Sequence, residues 1–114
     1  MNDTKTNERV AKVEHINEIK PNDLEQQMQN DENLIIIDVR EDEEVSQGMI
    51  EGAKHIPLQD IPYAKEKLDK SKHYVLVCRS GGRSMNAALF MDEYGFKVSN
   101  MTGGMLKWEG EVVI

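Results

Sequence analysis

A single cysteine, Cys78, stands in a chain of 114 residues, and that scarcity excludes two roles. One thiol cannot close an internal disulfide, and it cannot build a thiolate cage for a metal. The three histidines, His15, His55 and His73, lie far apart with no ligand spacing, so neither a structural metal nor a cofactor is expected. Long apolar runs are missing as well. The longest strong one, Leu34–Ile37, falls far short of the ~18 residues of a membrane span. The first nine residues hold no apolar segment of the secretory kind, and the expectation is a cytoplasmic protein without membrane contact. Positive charge is also in short supply, with 14 Lys and Arg against 21 Asp and Glu and a net charge of −7. Nonspecific nucleic-acid binding draws on neutralised phosphates, so that partner class is excluded.

What remains is an ordinary globular composition, 39% hydrophobic and 31% charged, of a length that suits one domain. Residues 1–10 are polar and aperiodic and read as a flexible tail, with a single domain over 11–114. Val13–Ile16 alternates like a short edge strand. Pro21 suits the first turn of a helix that carries Leu24 and Met28 on one face. Leu34–Ile37 is an unbroken β-branched run, expected for a strand covered on both sides. Glu41–Glu44 favours a helix start, ended near Gly48. A short strand over Ala53–Ile56 and a short helix from Ile61 to Leu68 follow. Tyr74–Val77 is a second buried strand that runs straight into Cys78. Arg83–Tyr94 is a helix with Ala87, Phe90, Met91 and Tyr94 on one stripe, and Gly95 suits its left-handed cap. Val98–Met101 is a last strand, and Gly103-Gly104 opens a terminal turn that carries Trp108. Alternating strands and helices predict a parallel sheet with helices on both faces.

The chemistry concentrates in Cys78-Arg79-Ser80-Gly81-Gly82-Arg83-Ser84. This loop joins the carboxyl end of a buried strand to a helix start, which is where open parallel sheets bind ligands. Two glycines let the backbone curl so that successive N–H groups face one cavity, and the helix entrance adds its own unpaired N–H groups. Arg79 and Arg83 contribute forked cationic donors suited to oxyanions. Such a cradle also ionises a thiol. Lowering a cysteine pKa by about two units requires ~2.7 kcal/mol. A helix terminus supplies up to ~2 kcal/mol, and each hydrogen bond to a charged group ~1.5–3 kcal/mol. Two or three converging amides suffice. The acidic net charge does not undo this, because distant carboxylates are screened over about 8 Å while groups a few ångströms away are not. The plainer role, a small hydrophobe at a strand end, would need neither the glycine pair nor the arginines.

Four landmarks in order resemble the rhodanese family, over roughly Val13 to Val112: Asp38-Val39-Arg40-Glu41, Gly48-Met49-Ile50-Glu51-Gly52-Ala53-Lys54-His55-Ile56-Pro57, the Cys78 loop, and Gly103-Gly104-Met105-Leu106-Lys107-Trp108. Met49 departs from the family's usual histidine, and no role is assigned to it. The resemblance implies a three-layer α/β/α fold with a five-stranded parallel sheet, and sulfur transfer through a Cys78 persulfide without a cofactor. It implies that the amides from Arg79 to Ser84 hold the terminal sulfur or the donor oxyanion, with Arg79 and Arg83 orienting a small anionic donor such as thiosulfate. A thiol or cyanide is the implied acceptor, and a persulfide-bearing protein is an alternative donor. Asp38 and Arg40, at the same edge of the sheet, read as a supporting ion-pair network. Trp108 and Tyr94 read as core aromatics, and His55 as packed near Pro57.

A rival class is the cysteine phosphatase or arsenate reductase, whose loop places five residues between cysteine and arginine, whereas Cys78 and Arg83 enclose four. A second rival, a non-catalytic module on the same fold, would usually have lost the nucleophile.

Overall fold

The structure is a computed structural model that describes residues 12–114; the expected tail over 1–10 lies outside them. Five strands form one parallel sheet: β1 (Asn17–Ile19), β2 (Leu34–Asp38), β4 (Lys54–His55), β5 (His73–Val77) and β6 (Lys97–Met101), in the order β1-β6-β5-β2-β4. Two further strands, β3 (Met49–Ile50) and β7 (Val112–Val113), make a small antiparallel pair outside that sheet. The helices are α1 (Pro21–Asn30), α2 (Asp42–Val45), α3 (Ile61–Ala64) and α4 (Gly82–Glu93).

Strand periodicity splits the core in two. In β5, Tyr74 and Leu76 project with Cys78 onto the face covered by Ala87, Ala88 and Met91 of α4. Val75 and Val77 project to the opposite face, against Leu24 and Met28 of α1. The two-residue repeat therefore decides that the thiol lies on the α4 side. Both faces are covered, as expected of apolar strands in a parallel sheet. The buried positions of α4 are Ser84, Ala87, Ala88 and Met91, small enough at three of the four to bring the helix close to the strands.

β5 is hydrogen-bonded to β2 on one side and to β6 on the other, with Asp38 opposite Val77. The chain leaves β2 toward β4 and leaves β5 toward β6, in opposite directions across the sheet. The loops after β2 and β5 consequently diverge and leave a crevice at their carboxyl ends. Cys78 and Arg40 both stand there.

Two expectations need correction. The edge strand expected over Val13–Ile16 is instead helical through residue 15, and β1 begins at Asn17. Val13 and Ile16 are three apart, a spacing that serves a helical turn as well as a strand. The Ile16 amide bonds to the Val13 carbonyl at 3.2 Å, while the pairing positions on β6 are taken by Asn17–Ile19. Tyr94 is not a core aromatic: it is 48% exposed, tilted against Phe90 with the Lys65 ammonium over its ring. His55 is held by the Arg40 carbonyl, which accepts from its Nε2 at 2.7 Å. Trp108 is half-buried and packs on the α1-side core.

Candidate active site

Cys78 follows β5 with a side chain on the α4 side, and the next six residues wrap around its sulfur. Gly81 turns the chain with φ +109°, a region that side chains rarely adopt, and serves as the N-cap of α4. That turn brings the Gly81 N–H to 3.0 Å from Sγ and the Ser84 N–H to 3.3 Å. Ser84 N–H belongs to the first turn of α4, whose amides have no partner within the helix.

The Ser84 hydroxyl lies 3.3 Å from the same sulfur and donates to Asn100 Oδ1 at 2.5 Å. The Asn100 orientation follows from its other end, where Nδ2 donates to the Gly81 carbonyl at 3.2 Å. The hydroxyl thus has one hydrogen and two claimants. Asn100 holds it while Cys78 is a thiol, and a thiolate would draw it over.

Burial is the largest influence on the thiol and pushes its pKa up. Hydrogen bonds from the Ser84 hydroxyl and from the Ser84, Gly81 and Ser80 N–H groups oppose it and prevail, so the Cys78 pKa falls below the ordinary thiol value. Cys78 is 1% exposed, yet its neighbours are polar hydrogens aimed at it. A sulfur at the floor of a donor cup is a different object from a sulfur sealed in hydrocarbon.

The loop is backed by the turn after β6. The Met105 N–H donates to the Cys78 carbonyl at 2.8 Å, and the Leu106 N–H to the Arg79 carbonyl at 3.1 Å. Gly104 permits this approach. A Cβ there would lie 2.5 Å from the Cys78 carbonyl oxygen and nearer still to Arg79's carbonyl.

The two loop arginines have different surroundings. Arg79 is exposed, and no ion pair to its guanidinium is found among the described residues. Arg83 is engaged: its Nη1 and Nη2 donate to Glu44 Oε1 and Oε2 at 2.7 and 2.8 Å. Arg83's hydrogen bonds are the largest of the influences that hold the Glu44 carboxyl at about 2. Glu44 is fixed from its own side as well, because its Oε1 accepts the Glu41 N–H at 2.9 Å in a capping box. Asp38 and Arg40 form a closed pair under the crevice. Arg40 Nε and Nη2 both reach the Asp38 carboxylate, the latter at 2.9 Å, and Nη2 also donates to the Gly48 carbonyl at 2.9 Å. Both residues are buried. Ser80 and Gly82 are exposed on the loop's outer turn.

A rhodanese-like domain model matches residues 20–111. The chain belongs to the rhodanese family. Among its relatives, YtwF of Bacillus subtilis (strain 168), which carries a provisional sulfurtransferase name, is 55% identical over 96 residues, 84% of this chain and 93% of that protein. A protein of Allochromatium vinosum named sulfurtransferase is 34% identical over 94 residues, 82% of this chain and 88% of that one. A crystal structure of a rhodanese-like domain protein from Staphylococcus aureus superposes with a TM-score of 0.81 at 32% identity, over 87% of this chain and 98% of that one. The free cysteine of this rhodanese domain, Cys78, opens the loop between β5 and α4.

Two contributors were not singled out from the sequence. Asn100 was legible as a polar residue in the otherwise covered β6, where a buried amide demands partners. Glu44 was legible only as helix-start acid; nothing in its spacing pointed to Arg83, 39 residues on.

Proposed function

We propose that this rhodanese domain is a sulfurtransferase that carries sulfane sulfur as a Cys78 persulfide, from a small anionic donor such as thiosulfate to a thiol, cyanide or another thiophilic acceptor. The observation that carries this reading is the convergence of the Gly81 and Ser84 amides on one sulfur, at 3.0 and 3.3 Å. The Cys78 thiolate attacks the outer sulfur of thiosulfate, the S–S bond breaks, and its electron pair leaves with sulfite. A persulfide anion remains on Cys78. Sulfite leaves without protonation, so no general acid is required. The first-turn amides of Gly82 and Arg83, orphaned by helix construction, supply donors for the added sulfur. Arg79 offers an open charge to the departing anion. In the second half-reaction an acceptor thiolate takes the outer sulfur and the Cys78 thiolate is restored.

The phosphatase reading finds its main residue already engaged. A phosphoryl clamp would have to compete with Glu44, which already takes one N–H from each end of Arg83's fork and offsets its charge.

Thiosulfate should add one sulfur mass to the intact protein, removable by cyanide, and Cys78→Ser should gain none. A serine variant that still gains the mass would overturn the proposal.

A further inference from the structure

The cations around the sulfur are fewer than the sequence suggests. Three arginines stand at the carboxyl edge of β2 and β5, but two are closed. Arg40 is paired with Asp38 at 2.9 Å, and Arg83 presents both ends of its fork to Glu44. The acids on the other side of the ledge, Glu41, Asp42 and Glu43, add negative charge at the start of α2. Among the described residues, Arg79 is left as the loop's open cation.

A cleft of about 400 Å3 adjoins Arg79, with Glu44, Gly48, Met105, Leu106 and Val112 among its walls. Its polar lining includes Gln47, the carboxylates of Glu43 and Glu44, and Arg40, whose charge is already matched by Asp38, while Met105, Leu106 (58% exposed) and Val112 are apolar. A compact sulfonate dianion gains nothing from the apolar wall and is repelled by the acidic one. A donor with an uncharged carbon body and one negative charge gains from the first and suffers less from the second.

We infer that Glu44 sets the donor class of this site: by closing Arg83 it leaves one open cation, Arg79, and so favours singly charged organic persulfides over doubly charged thiosulfate. This rests on the persulfide-carrier reading above. The reaction balances without a further reagent. The Cys78 thiolate attacks the outer sulfur of the persulfide anion R–S–S−, the S–S bond breaks, RS− departs with the electron pair, and the anion Cys78–S–S− remains. The departing thiolate leaves past Arg79, with R along the apolar wall.

The geometry makes Glu44 a stable stopper rather than a mobile one. It is held by Arg83 in front and by the Glu41 N–H behind. With its carboxyl held at about 2 by Arg83 above all, it is ionised at neutral pH. The sulfur's own charge is among the influences on Arg83, so this guanidinium lies within electrostatic reach of the reacting atom.

The test is steady-state and loading kinetics on the full chain, with thiosulfate and with an alkyl persulfide of uncharged body generated in situ. The wild type should show kcat/KM for the alkyl persulfide at least about tenfold above that for thiosulfate. Glu44→Gln keeps an oxygen for the Glu41 amide and loosens Arg83. It should lower the KM for thiosulfate on the order of fivefold, a partly exposed charge being discounted for solvent, and move the alkyl persulfide KM by less than about twofold. The double variant Glu44→Gln/Arg83→Gln should lose that gain. In the wild-type background, Arg79→Gln should raise the thiosulfate KM about tenfold and Arg83→Gln less than about twofold. A thiosulfate KM unmoved or raised by Glu44→Gln, with Cys78 still loading, overturns the inference and leaves the sulfur-carrier reading intact. Equal losses from Arg79→Gln and Arg83→Gln overturn it too. If neither donor loads Cys78, the sulfur-carrier reading fails and the inference falls with it.

Discussion

The ends of β2 and β5 are neighbours in the sheet, with Asp38 opposite Val77, and they do opposite things with charge. At the end of β2, Asp38 meets the backbone N–H, Nε and Nη2 of Arg40, and Arg40 passes a further hydrogen bond to Gly48. Every strong group has its partner inside the protein, and the pair is closed. At the end of β5, amides converge on an atom that is not obliged to be charged. That end is incomplete until the sulfur ionises or, under the proposed function, takes up a second sulfur. Closure serves stability, and incompleteness serves chemistry.

The comparison breaks hardest at Asp38. Asp38→Ala would leave the buried Arg40 unpaired, at a cost of about 3–5 kcal/mol, a large fraction of the roughly 5–15 kcal/mol that stabilises an ordinary domain. The melting temperature should drop on the order of 15 °C. Cys78→Ser, one strand over, should cost no more than about 1–2 kcal/mol while abolishing sulfur loading. Thermal unfolding of the two variants side by side checks this. A mild Asp38→Ala would mean that the β2 end is not the scaffold described here.

That division was only half legible in the sequence. The apolar runs of β2 and β5 sit where their composition puts them, since a strand covered on both faces leaves few alternatives. The Cys78 loop was legible for the same reason, because glycines before a helix dictate where amides point. Arg83 was not. Its sequence context marks it as an anion binder, and only the tertiary fold brings Glu44 to it. The β3–β7 pair was likewise invisible, for two-residue strands carry no period, and their pairing joins Met49 to Val113 across 64 positions. The strand over Val13–Ile16 failed because three-residue apolar spacing serves two structures at once.

Gly104 sharpens the comparison next, because it touches the open end alone. Its φ is +60°, and an added Cβ would run into the backbone carbonyls of Cys78 and Arg79. No flexible side chain is available to yield, so Gly104→Ala must push the loop away from its backing turn. We expect a loss of about 2–3 kcal/mol in stability. Sulfur loading should slow far more than that loss explains under conditions where the variant is fully folded. Loading rates measured well below the melting transition decide the point; an unchanged rate would show that the backing turn does not shape the cup.

The smallest expected effect isolates a single hydrogen. Ser84 is 0% exposed, and its hydroxyl stands between Asn100 Oδ1 at 2.5 Å and Cys78 Sγ at 3.3 Å. The Cys78 pKa lies below the ordinary thiol value, with burial opposing and the Ser84 hydroxyl first among the groups that lower it. A lowered pKa means that the reactive thiolate is present at lower pH, so the alkylation rate should rise with pH and level off earlier than for a free cysteine. Ser84→Ala removes the hydroxyl and keeps the Ser84 N–H contact. Its alkylation curve should move to higher pH, about threefold to tenfold slower on the acid side, where one hydrogen bond to a charged sulfur is missing. At alkaline pH, with both proteins fully ionised, the two rates should converge. A displacement in the other direction would mean that the hydroxyl stays with Asn100 throughout and favours the protonated thiol, leaving the amides alone to ionise the sulfur.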